Sequence, residues 1–146
     1  MTELTLDQSN RLIAEVFAEA TRRALPPLAA AVLDAGGHLR AMQRQDGVTF
    51  LRADVCQAKA WGALAMGVDS RRLAERFGEG GEQQGFLQAL NAMSGGRLIT
   101  LPGGVLIRDA NGRVLGALGV AGGPSDEDEA CAIAAIDALG LVHRAG

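Results

Sequence analysis

Apolar residues recur every three or four positions near the start of the chain, a spacing typical of an amphipathic helix. Thr5 and Gln8 have the spacing of a capping box, in which a hydroxyl and an amide satisfy backbone N–H groups at a helix start. The Pro26-Pro27 pair cannot continue a helix. The apolar face comprises Leu12, Ile13, Val16, Phe17, Ala20 and Ala24. The pattern predicts a first helix between Thr5 and Pro26.

Two pairs of short apolar runs are each joined by a turn. The first pair spans residues 28–33 and 38–42, and the second spans 105–108 and 114–120. The connecting segments, DAGG at 34–37 and DANG at 109–112, are rich in residues that tolerate the positive φ of tight turns. Both pairs are therefore predicted β-hairpins. The residues that flank the turns do not match, so we interpret the shared D-A-x-G signature as repeated turn chemistry and not as a duplication.

Helical spacing returns over residues 50–67. Shorter helices are predicted at 70–75, capped by Asp69 or Ser70, and at 84–93. A last helix is predicted from Ser125, which three acidic residues follow, to about His143. Residues 79–82, EGGE, are predicted as the least regular segment.

Residues 97–101 are predicted as a fifth strand. The strands occur in hairpin pairs and do not alternate one by one with helices, which argues against a parallel sheet. We predict an α+β fold in which helices flank a five-stranded antiparallel sheet, and a single domain over residues 1–146.

Composition narrows the class of protein. Of the 146 residues, 48% are apolar and 21% are charged, which is typical of a globular chain and excludes wholesale disorder. The net charge of −3, without basic runs interleaved with aromatic residues, argues against nucleic acid as a partner. No apolar stretch approaches the roughly 20 residues of a membrane helix, and the acidic first residues do not resemble a secretory signal. Cys56 and Cys131 lack metal-ligand spacing and are expected to be reduced thiols. We expect a cytoplasmic protein.

Glycines cluster around the second predicted hairpin, at Gly103-Gly104 before it and at Gly116 and Gly119 within it. Residues without side chains leave room for a ligand, a helix or a second subunit against the sheet. Gly103-Gly104 can also present backbone N–H groups to an anion, although the phosphate-loop motif GxxxxGK[ST] is absent. We expect a ligand to meet this glycine margin.

Four side chains are candidates for chemistry. His38 follows a glycine turn and is either a ligand or acid/base group or a turn histidine bonded to backbone. Lys59 lies among small residues on a predicted helix and either meets an anionic or carbonyl substrate or is a solvated lysine. Arg44 and Asp46 either pair with each other, which we favour, or Arg44 binds an anion. No spacing indicates a metal site.

Six short segments then follow one another in a distinctive order. They are VLDAGGHL at 32–39, Arg44 with Asp46-Gly47, QAKA at 57–60, GGV at 103–105, GALGV at 116–120 and DEACA at 128–132. In this order they resemble the GlcG/HbpS family, which includes the C-terminal domain of PduO-type proteins, over nearly the whole chain.

The resemblance implies a profilin-like three-layer fold and assembly into homodimers or larger rings. In some relatives it also implies haem binding, and the family carries a haem-degrading label. The chain departs from the family at Leu106, often proline, at Ala121, often serine, and at Trp61, commonly a small polar residue. The first helix has no histidine, which in some relatives is an axial haem ligand.

Three hypotheses follow. The first is a homo-oligomer that binds haem or another small anion. Its pocket is formed by His38, Lys59 and three glycines of the margin, Gly103, Gly104 and Gly119. Arg44 and Asp46 are further ligand contacts. The second is an enzyme that acts on a small oxygenated catabolic intermediate, with His38 as acid/base and Lys59 or Arg44 holding a carboxylate. The third is a scaffold subunit without a pocket.

Overall fold

The computed structural model describes residues 3–78 and 82–144. Along the chain the elements are α1 (Leu6–Arg22), β1 (Ala29–Asp34), β2 (Leu39–Arg44), α2 (Leu51–Met66), α3 (Ser70–Phe77), α4 (Glu82–Ser94), β3 (Gly104–Arg108), β4 (Val114–Ala121) and α5 (Ser125–Ala138). This confirms the α+β class. Within the described residues, no helix has both the length and the apolarity needed to cross a bilayer.

Four antiparallel strands form one sheet in the order β2-β1-β4-β3. β1 and β4 are central, and their register places Ala29 opposite Ala121 and Asp34 opposite Gly116. The two hairpin turns, which follow β1 and β3, therefore lie at the same end of the sheet. The start of β3 and the end of β4 lie at the other end.

Helices cover both faces of the sheet, because alternate residues of a strand point to opposite sides. Val32 of β1 packs into a large core with α1 and α5, whereas its neighbour Leu33 packs with Ala60 and Ala63 of α2. The α2 side is lined by alanine and glycine. An added Cβ on Gly119 would lie 1.9 Å from the Cys56 carbonyl oxygen, so the helix backbone lies directly on the strand.

The outer edge of β3 is sealed by groups from elsewhere in the chain. The backbone N–H of Gly104 donates to Ser70 Oγ at 2.8 Å, and that of Leu106 donates to Asp69 Oδ1 at 2.9 Å. The N–H of Arg108 donates to the Val142 carbonyl at 2.7 Å. Asp69 stands at the N-cap of α3, but its side chain makes no capping bond there. Of the two predicted cap residues, Asp69 therefore occupies the N-cap position, but its carboxylate satisfies the sheet edge and not the helix end.

The predicted fifth strand at 97–101 is wrong. The Leu98 N–H donates to Asn91 Oδ1 at 2.7 Å, and the Asn91 amide donates back to the Leu98 carbonyl at 3.4 Å. A side-chain amide at the end of α4 thus replaces the neighbouring strand that this segment would need. The last helix ends at Ala138 and not near His143, since the Val142 backbone pairs with Arg108 of β3.

The first helix and its capping box are confirmed. The Thr5 hydroxyl accepts from the Gln8 N–H, and the Gln8 side chain accepts from the Thr5 N–H, both at 3.0 Å. The helix ends at Arg22, earlier than the two prolines require, because Ala24 adopts a left-handed conformation with φ 54°. Residues 79–81 of the predicted irregular segment lie outside the described residues.

Candidate functional site

Lys59 is buried in the middle of α2, with 2% of its surface exposed. Its ammonium donates to the Val120 carbonyl at 2.9 Å and to Asp128 Oδ2 at 3.3 Å. The other oxygen of Asp128 accepts the Gly123 N–H at 3.0 Å. Lys59 thus ties α2 to the end of β4 and to the first turn of α5.

Burial governs the electrostatics of this pair. Removal from water lowers the pKa of Lys59, and the negative charge of Asp128 opposes that shift. Removal from water likewise raises the pKa of Asp128, and the Lys59 charge opposes it. Each partner therefore depends on the other for its charged form. The ammonium is engaged by protein groups and is buried from solvent.

The glycine margin is filled by the protein itself. An added Cβ on Gly103 would lie 2.9 Å from Lys59 Nζ, and one on Gly104 would lie 2.1 Å from the Lys59 carbonyl oxygen. Gly119 meets the Cys56 carbonyl in the same way. These glycines allow α2 to approach the sheet, which was one of the alternatives for them. A ligand against this margin is therefore not supported.

His38 lies at the opposite end of the sheet, in the turn between β1 and β2. Its side chain is 83% exposed, and Nδ1 lies 3.4 Å from Asp34 Oδ1. Asp34 pairs with Gly116 at the start of β4, whereas Lys59 binds Val120 near its end, about 13 Å along the strand at roughly 3.3 Å per residue. The structure does not bring His38 and Lys59 together, so the predicted shared pocket is wrong within one chain.

Arg44 and Asp46 lie at and just after the end of β2, where they line a cleft with Phe17, Leu25 and Pro27. Among the described residues, no carboxylate lies within 4 Å of the Arg44 guanidinium. The predicted Arg44–Asp46 pair is therefore wrong. The intervening Gln45 instead holds the turn, since its side chain accepts the Leu28 N–H at 2.8 Å.

A crevice of about 360 Å³ opens between α2 and the start of β2. The Arg97 guanidinium lies over the Trp61 ring, 5.2 Å from its centroid. Its lining comprises Leu33, Gly37, Leu39, Asp54, Gln57, Ala58, Trp61, Gly96 and Arg97. We name this the Trp61–Arg97 crevice. It combines an aromatic and aliphatic wall with a guanidinium at the rim, which suits an anionic ligand with a flat apolar body.

Sequence reasoning missed this crevice. The sequence marks Trp61 only as a departure from a family pattern, and it predicts a strand at Arg97. A usable signal exists in the spacing of Asp54, Gln57, Ala58 and Trp61, which puts them on one face of α2. The position of Arg97 could not be inferred, because the loop that carries it follows a helix whose placement depends on tertiary contacts.

Comparison with known proteins gives a consistent result. The family model described as haem degrading protein HbpS-like matches residues 4–137. A 15.0 kDa protein of Citrobacter freundii, encoded between dhaT and dhaS, is 29% identical over 134 residues, which cover 92% of this chain and 90% of that protein.

Solved structures show the same architecture. Klebsiella pneumoniae protein ORFY is 26% identical with a TM-score of 0.83, over 96% of this chain and 92% of that one. A double mutant of Streptomyces reticuli HbpS is 28% identical with a TM-score of 0.77, over 96% and 89%. The PduOC–heme complex also has a TM-score of 0.83, over 97% and 99%, but at 23% identity this likeness concerns the fold alone.

Proposed function

The chain belongs to the HbpS-like family, described as haem degrading protein HbpS-like, and from this premise we propose that it binds a small anionic ligand with a flat apolar body, such as haem, in the Trp61–Arg97 crevice. The observation that carries the proposal is the stacking of the Arg97 guanidinium over the Trp61 ring beside aliphatic side chains. A planar ligand can occupy such a wall while its carboxylate meets the guanidinium.

The charge at the rim supports an anionic ligand. Arg97 is exposed, and no carboxylate of the described residues lies within 4 Å of its guanidinium. Asp54 also lines the crevice and would disfavour an anion on its own side. We therefore expect the ligand to place its acidic group toward Arg97 and its apolar body against Trp61.

The described lining of the crevice suits the ring and the acidic groups of haem but offers no ligand for its iron. The volume lies within the range of about 300–1,000 Å³ that small-ligand sites occupy, and the wall suits a flat ring with acidic side groups. The lining holds no histidine, cysteine, methionine or tyrosine to ligate iron. Burial raises the pKa of Cys56 to about 12 and that of Cys131 to about 11, so neither thiol is a ready thiolate. We propose binding through the ring and its acids, and no chemistry at the iron.

No observation favours the enzyme hypothesis. It required His38 to face a substrate held by Lys59 or Arg44, but the three side chains lie in separate places: an exposed turn, the interior beneath α2, and the end of an edge strand. Catalysis is therefore not proposed.

Assembly into a homo-oligomer remains part of the proposal. Phe50 and Leu51, at the start of α2, are 79% and 56% exposed, and Leu39 of β2 is 51% exposed. Exposed apolar residues indicate a contact surface when they are contiguous, and Phe50 and Leu51 are adjacent in the chain, which supports a contact at the start of α2. Light scattering coupled to size-exclusion chromatography tests it, and a monomeric mass at micromolar concentration would contradict it.

Fluorescence gives a direct test of the crevice, because Trp61 is the chain's single tryptophan. Titration with haemin should quench it saturably. Arg97→Gln should weaken binding about fivefold, as expected for one partly exposed charge contact. Arg72→Gln on α3, which makes the same charge change elsewhere, and His38→Ala should bind like the natural chain. Quenching without saturation, or equal affinities for Arg97→Gln and Arg72→Gln, would overturn the proposal and favour the scaffold hypothesis.

A further inference from the structure

The two hairpin turns of the sheet have the same internal geometry. Asp34 Oδ1 accepts the N–H groups of Gly36 at 2.9 Å and His38 at 3.0 Å. In the second turn Asp109 Oδ1 accepts those of Asn111 at 2.9 Å and Arg113 at 3.0 Å. His38 and Arg113 therefore occupy equivalent positions.

The same glycine geometry completes both turns. Gly37 has φ 83° and donates to the Asp34 carbonyl at 2.9 Å, while Gly112 has φ 84° and donates to the Asp109 carbonyl at 3.0 Å. Left-handed backbone of this kind is accessible to glycine without steric cost. Each turn is thus a rigid support for the residue that follows its glycine.

The antiparallel register sets the two turns side by side, since Asp34 lies opposite Gly116 near the start of β4. Between them lies a cleft of about 250 Å³, whose lining includes His38, Arg40 and Arg113. We name this the twin-turn cleft. Its donors come from three separate points on two hairpins, so the sheet and not a flexible loop determines their spacing.

We propose that the twin-turn cleft binds a small doubly charged oxyanion, a phosphate or a short dicarboxylate, through His38, Arg40 and Arg113. This site is distinct from the Trp61–Arg97 crevice and does not depend on the proposed function. Among the described residues, neither Arg40 nor Arg113 has a carboxylate within 4 Å of its guanidinium. Two unpaired guanidinium groups and an imidazole leave several donors for one anion.

Two acids, Asp34 and Glu3, also line the cleft, so the proposal depends on the placement of the donors and not on an excess of positive charge. Asp34 Oδ1 is already occupied by two backbone N–H groups and lies 3.4 Å from His38 Nδ1, which leaves Nε2 of that ring for another partner. Glu3 stands on the rim and forms no ion pair with the described basic residues. Its carboxylate opposes an incoming anion, so its removal should strengthen binding.

The chain's two histidines make the test selective. His38 lines the cleft, and His143, 3.6 Å from Asp137, lies elsewhere and is an internal control. Inorganic phosphate and succinate are titrated separately at fixed pH and ionic strength while the ring proton resonances are followed by NMR. We expect the His38 resonance to shift saturably with at least one anion and the His143 resonance to stay constant. The anion that binds more tightly identifies the oxyanion class.

Substitutions in the cleft test whether each charged residue favours or opposes anion binding. Arg113→Gln should weaken binding about fivefold, as for one exposed charge contact, and Glu3→Gln should strengthen it severalfold. Arg72→Gln should match the natural chain. Parallel shifts of both histidines, no saturation with either anion, or equal effects of Arg113→Gln and Arg72→Gln would overturn the proposal. Haemin binding by Arg113→Gln should be unchanged, which separates failure of this site from failure of the crevice.

Discussion

At the scale of single residues, Lys59 and Asp128 form an ion pair buried on both sides, with side chains 2% and 1% exposed. The two residues are 69 positions apart in the chain. A buried pair contributes little net stability compared with an apolar pair, but loss of one partner leaves an uncompensated charge. Removal of Lys59 or Asp128 alone should therefore weaken the contact between α2 and α5.

The first prediction concerns this pair. Asp128→Asn keeps an oxygen for the Gly123 N–H but removes the charge beside Lys59, and should lower the free energy of unfolding by about 3–5 kcal/mol. Lys59→Met combined with Asp128→Asn should recover much of that loss. The control is Asp126→Asn, an 80% exposed partner of Arg71, which should cost less than about 1 kcal/mol. Urea unfolding measures the free energy of unfolding of all three variants. Equal losses for Asp128→Asn and Asp126→Asn would contradict the role of the pair.

The second prediction concerns Cys56, whose thiol has its pKa raised by burial from 9.0 to about 12. Above pH 9 the unfolded chain loses this proton while the native chain retains it, so stability should fall as pH rises from about 9 toward 12. Cys56→Ala should flatten this decline.

Unfolding in urea at pH 8 and at pH 10 measures how the free energy of unfolding changes with pH in the natural chain and in Cys56→Ala. The lowered pKa of Lys59, the chain's only lysine, acts in the opposite direction in both proteins, so the difference between them reports the thiol together with its coupling to Lys59. Identical slopes would show that Cys56 ionises as readily in the native state as in the unfolded one.

At the scale of elements, the contact of α2 with the sheet determines the inside of the molecule. The sequence predicts a ligand beside Gly104 and Gly119, but the α2 backbone occupies that space. The local sequence shows only that a side chain is missing there. Whether a helix or a ligand fills the gap depends on which surface of the chain folds against it.

The third prediction tests this contact. Gly119→Ala places a Cβ 1.9 Å from a rigid carbonyl oxygen of α2 and should cost at least about 3 kcal/mol of stability, because the helix must move from the sheet. Gly85→Ala in α4, where an added Cβ meets no atom within 4 Å, should stabilise by up to about 1 kcal/mol. Thermal unfolding compares the stability of the two variants. Unchanged stability of Gly119→Ala would contradict the close approach of α2 to β4.

At the scale of the whole molecule, one sheet separates two layers of helices that share strands. Val32 belongs to the core under α1 and α5, and the adjacent Leu33 to the core under α2. Loss of either layer exposes one face of β1 and β4 to water. Neither layer can therefore unfold without weakening the other.

The fourth prediction is one cooperative transition. Trp61 on α2 reports the second layer by fluorescence, and far-ultraviolet circular dichroism reports all the helices. We expect their thermal midpoints to coincide, as two-state unfolding requires. An earlier fluorescence midpoint would mean that the α2 layer opens independently, and Gly119→Ala should then widen the gap between the two midpoints.

Features that depend on residues close together in the chain were predicted correctly, whereas contacts between distant residues were not. The capping box at Thr5 and both hairpin turns depend on residues three to four positions apart, and all were predicted. The segment at 97–101 failed because its backbone pairs with Asn91, a side chain in the preceding helix. His38 and Lys59 were placed in their elements correctly, but not relative to each other.

The sequence by itself determined the helix that begins at Thr5 and the two aspartate turns, because hydrogen bonds within a few residues specify them. It also determined the α+β class, because the order of helical and strand patterns along the chain places the strands in hairpin pairs. The tertiary structure alone decided that α2 covers the glycines, that Lys59 meets Asp128 and that the two turns lie side by side. Those contacts join residues far apart in the chain, and which of them form depends on how the layers bury apolar surface together.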